Sequence, residues 1–385
     1  MVRFWKRARG LVRRRLGRRR PGSGPVDDRA LGDLFCSRPF EWFEVHGGPR
    51  RGLVHLCCQS WLDYPVGDLR RQSVAEIWNG ERAQEVRRSI LDGSFRYCDH
   101  SVCPFLQTRV SPVQRRSEVT DARLREVIAS GATRLEWGPQ VVNCSYDRSC
   151  NLACPSCRDE LIVEQDESAE ILAIQEKVRT EALVDARKLY ITGSGDPFGS
   201  PFFRDWLRSM REEETSRLGR IHLHTNGLLW SPRMWSSLPA NVRALVKDAE
   251  ISVDAASAAT YALNRGGHWD VLLENLAFVA ELRRQGPLEW VGLSFVVQEN
   301  NFGEMPAFVA LARSFGFDLV LFNQIVNWGT FSPPDFRRRA VHLPSHPRHP
   351  ELIELLQSET FADPIVHLGN LTSVRHAGAP ADRPD

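Results

Sequence analysis

Regular alternation between strand-like and helix-like segments is the feature that most restricts the fold of this sequence. Between residues 141 and 325, six β-rich runs alternate with helical patterns in units of roughly 30 to 45 residues. Parallel strands need long crossovers that are usually helices, so this alternation favours a parallel sheet or barrel. We therefore predict an α/β fold with a partial (β/α)6 barrel of the TIM type. The predicted strands span residues 141–146, 188–192, 221–224, 250–254, 291–297 and 319–325.

The chain begins with a basic arm. Residues 1–20 hold ten of the fifty lysines and arginines and no acid, so the rest of the chain is acidic although the total charge is +2. The arm lacks the apolar stretch of a secretory signal. Three interpretations stay open: a solvated, disordered arm, an amphipathic helix on an anionic membrane surface, or a contact with nucleic acid, which is the least expected.

Cysteine usage indicates the cellular compartment. All nine cysteines precede residue 158. An odd number in a long chain argues against a secreted disulfide framework and favours metal-bound or reactive thiols in a reducing cytoplasm. No run of about eighteen uncharged apolar residues is present, so we expect no transmembrane helix. A cytoplasmic location follows, with peripheral membrane contact through the arm as an option.

Three cysteines follow the first predicted strand of the barrel. Cys150, Cys154 and Cys157 have the spacing C-x3-C-x2-C, in the kind of loop where barrels place their chemistry. Soft thiolates select zinc or an iron–sulfur cluster. Neither Cys nor His follows within sixty residues, so a closed tetrahedral zinc site lacks a nearby fourth ligand. The motif predicts a metal centre with three protein ligands and one open position.

This pattern resembles the radical S-adenosylmethionine (SAM) enzymes, and the resemblance covers residues 138–330. In that family the three cysteines bind a [4Fe–4S] cluster whose open iron chelates SAM. Reductive cleavage of SAM gives a 5′-deoxyadenosyl radical, which abstracts hydrogen from a substrate. The resemblance implies that Cys150, Cys154 and Cys157 are the catalytic ligands and that a flavodoxin or ferredoxin donates the electron.

Landmarks after the later strands extend the resemblance. GSGDP follows the second strand, TNG the third and SVD the fourth, while NRGG and a glutamine come later. The family usually reads Gly-Gly-Glu-Pro where this chain has GSGDP, so Ser194 and Asp196 are departures. Ser156 likewise replaces an aromatic residue. The resemblance implies SAM contacts from Gly193, Ser194, Gly195, Asp196, Asn226, Ser252, Asp254, Arg265 and Gln298.

A second cysteine set precedes the barrel. Cys36, Cys57, Cys98 and Cys103 show C-x15-G-x4-C and C-x4-C spacings, with GDL and EIW between them. The set resembles the SPASM-type auxiliary domain, although such domains usually follow the radical SAM core. The resemblance implies a second, auxiliary [4Fe–4S] cluster with four protein ligands. A zinc knuckle or free thiols stay open, and Cys58 competes with Cys57, which the glycine spacing favours.

The organisation predicted from these patterns has five parts. They are an arm at 1–30, a SPASM-like auxiliary cluster domain at 31–115, a linker helix at 116–135, a radical SAM core at 136–332 and an extension with a disordered end at 333–385. A helix over residues 73–91 is expected, capped by Ser73 and Glu76.

The substrate stays open between a peptide, a sugar and a small metabolite, with Tyr146, Asp147 and Trp328 as pocket candidates. The alternative function is a non-catalytic iron–sulfur or zinc-binding interaction protein on a degenerate barrel.

Overall fold

A computed structural model of the chain describes residues 31–100, 102–165 and 168–377. The basic arm and its possible membrane or nucleic-acid contact lie outside the described residues. The expected disordered end does too, except that His376 and Ala377 complete a short helix. Within the described part, no helix is long and apolar enough to cross a membrane.

Twelve strands form one large and one small sheet in the described part of the chain. In chain order they are β1 Leu34–Cys36, β2 Trp42–His46, β3 Leu53–His55, β4 Gly67–Asp68, β5 Val113–Arg115, β6 Val141–Ser145, β7 Lys188–Ile191, β8 Arg220–Thr225, β9 Val246–Ser252, β10 Trp290–Val297, β11 Leu319–Gln324 and β12 Val366–His367. Strands β1 and β5 pair by themselves, antiparallel. The other ten form a single open sheet in the order β12-β11-β10-β9-β8-β7-β6-β2-β3-β4.

The partial barrel is confirmed. Strands β6 to β11 lie side by side in chain order, and every neighbouring pair is parallel. Helices connect them, and the sheet does not close on itself. The carboxyl ends of all six strands therefore face the same edge, where the predicted functional loops begin.

The cysteine-rich region and the barrel share this sheet. Strand β2 pairs in parallel with β6, in the register that joins Trp42 to Val141 and His46 to Ser145. Strands β3 and β4 then continue the sheet in antiparallel fashion. The auxiliary region is thus joined to the first barrel strand by backbone hydrogen bonds as well as by a linker.

Sixteen α-helices are found in the described residues. They are α1 Arg38–Glu41, α2 Val74–Trp78, α3 Glu81–Leu91, α4 Pro104–Thr108, α5 Ala122–Ser130, α6 Ser168–Lys177, α7 Pro201–Ser209, α8 Glu212–Thr215, α9 Pro232–Ser236, α10 Ala240–Leu245, α11 Ala258–Asn264, α12 Trp269–Gln285, α13 Met305–Phe315, α14 Pro333–Arg339, α15 His349–Leu356 and α16 Thr372–Ala377. A π-helical turn, Val178–Ala182, continues α6, and short 3-10 turns complete the chain.

Several element boundaries differ from the sequence expectations. The helix predicted over 73–91 begins with the expected Ser73–Glu76 capping box but is split into α2 and α3 at Asn79 and Gly80. Strand β9 begins four residues earlier and ends two residues earlier than predicted, and its end precedes Asp254, which has a φ of 59° and cannot extend a strand. The linker helix is shorter, and the extension adds two further helices and β12, which pairs with β11.

The two faces of the barrel sheet differ in polarity. One face is apolar and packs against the helices, as where the Phe295 ring lies 4.8 Å from that of Phe308 in α13. The opposite, inner face carries polar and aromatic side chains. One layer of it, aligned by the strand register, consists of Glu44, Asn143, Tyr190, His222, Asp248 and Trp290. The inner face is therefore suited to a polar ligand.

Candidate functional site

The loop after β6 brings three thiols together. Cys150 and Cys154 are buried and Cys157 is half-buried, and all three pack with Leu152 and Leu228. The loop folds back on itself, since the Cys157 amide donates to the Cys154 carbonyl at 2.8 Å. The thiols lie beyond the carboxyl end of β6, as the motif predicts.

Polar side chains approach two of these sulfurs. The Asn226 amide donates to Cys150 Sγ at 3.6 Å, and the Arg158 guanidinium donates to Cys157 Sγ at 3.4 Å. Burial raises the pKa of Cys150 to about 11, and the Arg158 charge opposes that rise. The uncoordinated Cys150 thiol is thus protonated near neutral pH, and a metal centre would displace its proton.

The GSGDP segment packs directly on the cysteine loop. A Cβ at Gly195 would lie 2.6 Å from the Ser149 carbonyl oxygen and 2.7 Å from that of Asp147, so only glycine fits. The Ser194 hydroxyl donates to the Ser145 carbonyl at 2.7 Å. Ser145 Oγ itself is buried without a hydrogen-bond partner among the described residues, and it lies 3.2 Å from a Cβ built on Gly193.

Asp196 links two of the predicted SAM-binding loops. One carboxylate oxygen accepts from the Thr225 hydroxyl at 2.7 Å and from the backbone amide of Asn226 at 2.8 Å. The other accepts from the amides of Phe198 and Gly199, each at 2.9 Å. Its side chain is fully engaged within the protein, so Asp196 fixes the loop carrying Asn226.

Arg265 is a buried cation beside the cysteine loop. It donates to the Ser252 carbonyl at 2.9 Å and to the Asp254 carboxylate at 3.1 Å. Its backbone carbonyl lies 3.7 Å from Cys154 Sγ. Although burial opposes it, the charges of Cys154 and Asp254 raise the pKa of Arg265. Its Nε has no partner in the described part of the chain.

Ser252 and Gln298 occupy different surroundings. The Ser252 hydroxyl lies on the inner face, 3.1 Å from that of Ser294 and 3.0 Å from Nε2 of His224. The buried Gln298 instead faces the carboxy-terminal extension, where its side-chain oxygen accepts from Arg339 at 3.3 Å. Of the predicted SAM contacts, Gln298 is the one held by the extension.

The second set of cysteines surrounds a cavity in the amino-terminal region. Cys36, Cys57, Cys98 and Cys103 line it together with Arg38 and otherwise apolar side chains. Cys58 is not among the lining residues and instead neighbours Glu44 and Ser60. Both cysteines lie in the loop that follows β3, which ends at His55.

Burial dominates the protonation of the cavity thiols. It raises the pKa of Cys36 to about 12 and that of Cys57 well above its ordinary value, and the Arg38 charge opposes both shifts. Among the described residues no three His, Cys, Asp or Glu side chains converge to hold a single metal ion. The four auxiliary thiols are brought together by the cavity that they line.

Sequence reasoning missed residues on β2. Glu44 is buried on the inner face, where Trp42 Nε1 donates to it at 3.0 Å and His46 Nε2 lies 3.3 Å away. Burial raises the pKa of Glu44 to about 7, against hydrogen bonds from Trp42 and Asn143. The alternation in WFEVH was the available signal, but no strand was predicted there.

Two of the pocket candidates do not face a pocket. Tyr146 is fully buried and its hydroxyl donates to Gln175 of α6 at 3.2 Å. Asp147 is also fully buried and accepts from Ser149 and Ser200 within the loop. Both stabilise the cysteine loop from behind, whereas Trp328 is 58% exposed after β11.

A protein-family model matches the amino-terminal region. Residues 26–104 match SPASM, described as an iron–sulfur cluster-binding domain. The match includes all four cavity cysteines, and it confirms the resemblance stated above for this segment. The segment that matches this family thus precedes strands β6 to β11. No curated protein is significantly similar to the chain.

Several solved structures share a distant similarity. TYW1 with a lysine-pyruvate adduct bound is 15% identical, with 58% of this chain and 74% of that chain covered and a TM-score of 0.37. SuiB of Streptococcus suis bound to S-adenosylmethionine is 13% identical, with coverage of 67% and 56% and a TM-score of 0.36. Native anSMEcpe with bound AdoMet and Kp18Cys peptide is 18% identical, with coverage of 57% and 60% and a TM-score of 0.36. The chain thus spans less than two thirds of SuiB and anSMEcpe, and similarity at this level does not define an activity.

Proposed function

We propose that the protein is a radical SAM enzyme with one auxiliary iron–sulfur cluster. The supporting observation is that a buried arginine with an unpartnered Nε adjoins three clustered thiols at the carboxyl edge of a parallel sheet. Thiols suit a soft metal centre, and the arginine suits the carboxylate of a ligand bound beside it.

The residues fit this pair of groups. Cys150, Cys154 and Cys157 would hold a [4Fe–4S] cluster, with Arg158 and Asn226 donating to two of the sulfurs. When bound, the cluster and SAM supply a 5′-deoxyadenosyl radical that abstracts hydrogen from a substrate. A flavodoxin or ferredoxin is the proposed electron donor.

Two unpartnered buried atoms would receive the SAM amino-acid moiety. Arg265 Nε would donate to the carboxylate, and Arg265 is itself held in place by Asp254 and the Ser252 carbonyl. Ser145 Oγ adjoins Gly193, and the resemblance to radical SAM enzymes implies that the segment of Gly193 receives the ammonium group. The other proposed SAM contacts are those given by the sequence: Gly193, Ser194, Gly195, Asp196, Asn226, Ser252, Asp254 and Gln298.

The inner face of the sheet would position the substrate. Its polar groups nearest the carboxyl edge include His224, Ser252 and Ser294, which form one hydrogen-bonded chain. Toward the opposite edge, Asp248 accepts from both Lys188 and Arg220. A substrate with several hydrogen-bonding groups suits this lining, and a peptide, a sugar and a small polar metabolite all meet that description.

Replacement of Cys154 by alanine tests the proposal most directly. Loss of one of three ligands should reduce 5′-deoxyadenosine formation from SAM and dithionite to background in anaerobically reconstituted protein. Cys144→Ala is the matched control, because Cys144 is a buried cysteine on β6 that should keep its activity. SAM cleavage retained by Cys154→Ala would contradict the proposal.

Iron analysis separates the enzyme from the alternative. Two four-iron clusters give about eight irons per chain and brown protein. A colourless, zinc-loaded protein that leaves SAM intact would instead support a non-catalytic binding role.

A further inference from the structure

One charged side chain lines the cavity that holds the four auxiliary cysteines. Apart from the thiols, the lining consists of apolar residues and Arg38. Arg38 begins α1, two residues after Cys36, and its own backbone amide bonds to that thiol. A cation in so apolar a cavity needs either an anionic partner or a reason to be held there.

The Arg38 guanidinium is held by aromatic rings and not by a carboxylate. It lies 3.8 Å from the centroid of the Trp42 ring and 5.5 Å from that of Phe105. No carboxylate forms an ion pair with it in the described part of the chain. Glu41 and Glu44 feel its charge without forming an ion pair with it, and the guanidinium lines the cavity itself.

We propose that Arg38 sets the reduction potential of the auxiliary cluster by holding a fixed positive charge against it. The inference rests on the cluster-binding match of residues 26–104 and not on SAM chemistry. A cluster with four thiolate ligands is anionic, and reduction adds a further negative charge. A neighbouring cation stabilises the reduced form more than the oxidised form, so it raises the potential.

Arg38 lines the same cavity as all four thiols, which come from three separate segments of the chain. One cation thus adjoins the space enclosed by every proposed ligand. A change at Arg38 should consequently be felt by the whole cluster and not by one ligand.

The position of Arg38 also relates the cavity to the inner face. The Arg38 guanidinium lies over the ring of Trp42, which belongs to β2. The Trp42 ring centroid is 5.0 Å from that of Tyr190 on β7. Arg38 is therefore placed between the cluster cavity and the face where a substrate would bind. A raised potential on that side favours an auxiliary cluster that accepts electrons.

The test uses full-length protein in which the auxiliary cluster is alone. Cys150, Cys154 and Cys157 are all replaced by alanine, and the remaining cluster is reconstituted anaerobically. Iron content, visible absorption and a dye-mediated redox titration followed by electron paramagnetic resonance are then compared. This background removes SAM chemistry, so failure here and failure of the proposed enzymatic function are distinguishable.

In this background Arg38→Gln should keep about four irons per chain and lower the midpoint potential. We expect the equilibrium constant for reduction to fall at least tenfold, which corresponds to about 59 mV for a one-electron couple. Arg38→Lys should retain most of the wild-type potential. Arg82→Gln is the matched control, because Arg82 lies 4.1 Å over the Tyr64 ring but does not line the cavity. An unchanged potential in an iron-replete Arg38→Gln protein would overturn the proposal.

Arg38→His gives a second route if the glutamine variant fails to assemble a cluster. A histidine there is cationic at pH 6 and neutral at pH 8.5. Its midpoint potential should fall toward high pH much more than that of the wild type. A histidine variant that holds its cluster and shows the wild-type pH dependence refutes the role of charge.

Discussion

The two cysteine sites are built in opposite ways. In the barrel, three thiols come from one loop of eight residues, and polar groups and a buried arginine surround them. In the amino-terminal region, four thiols come from distant segments and line an otherwise apolar cavity. In our proposal, three cysteines leave one iron of the barrel cluster open to a ligand. Four cysteines supply every protein ligand that the auxiliary cluster needs. The same residue type thus serves two purposes according to what surrounds it.

An arginine adjoins each set of thiols, but the two are held differently. Arg265 is bound to Asp254 and the Ser252 carbonyl, whereas Arg38 contacts aromatic rings and forms no ion pair within the described part of the chain. Arg265 is part of the protein's hydrogen-bonded framework, whereas the Arg38 guanidinium is held by contacts with aromatic rings. Substitution should therefore affect folding and ligand binding at Arg265, but chiefly redox behaviour at Arg38.

The largest effect is expected for Arg265→Met. Removing the guanidinium leaves the buried Asp254 carboxylate uncompensated, which should lower the free energy of unfolding by about 3–5 kcal/mol. SAM affinity should fall about 100-fold, as judged by equilibrium binding. Arg283→Met is the control, because Arg283 donates through two nitrogens to the more exposed Asp318, and its replacement should cost about 1 kcal/mol or less. If Arg265→Met and Arg283→Met lowered the free energy of unfolding equally, Arg265 would not be a special part of the framework at the barrel site.

A smaller effect is expected for Gly195→Ala. The added Cβ would meet the carbonyl oxygens of Ser149 and Asp147, so the cysteine loop must move. We expect the free energy of unfolding, measured by chemical denaturation, to fall by about 2–3 kcal/mol. The iron content should fall at the barrel site alone. Gly303→Ala has open space around the new methyl group and should be nearly neutral. Iron loss from the auxiliary cavity in Gly195→Ala would show that the two sites are not independent.

The smallest effect concerns Glu44, at the junction of the two regions. Its pKa is raised by burial from 4.5 to about 7, so the folded chain holds this proton more tightly than the unfolded chain. The resulting stabilisation is present below pH 4.5 and is lost as the pH rises to about 7. Glu44→Gln should therefore gain roughly 2 kcal/mol relative to the wild type between pH 5.5 and pH 8. Urea denaturation at both pH values measures this, and parallel pH dependences would show that Glu44 does not titrate in this range.

The barrel could be predicted because its signals are local. Runs such as residues 291–297 are apolar and β-branched, and β10 was found at Trp290–Val297. The cysteine loop was likewise identified from its spacing, whereas the glycine segment was identified through the resemblance to radical SAM enzymes. Where a strand was misplaced, as at β9, the error came from treating Asp254 as part of the strand although its backbone turns away.

The missing features depend on contacts between distant segments. Nothing in the sequence near Trp42 indicates that it will pair with a strand one hundred residues later. The same holds for Arg38, whose role emerges only once four separate thiols surround it. Glu44 was missed for a related reason, because its burial depends on neighbours from β6 and not on its own segment.

The parallel pairing of β2 with β6 has a consequence for biosynthesis. Strand β2 leaves the ribosome well before the barrel begins, and amino-terminal segments generally fold first. The first barrel strand is therefore synthesised after the strand with which it pairs, and each later strand follows its neighbour in the sheet. From β2 and β6 onward, the order of synthesis matches the order of the sheet up to β12.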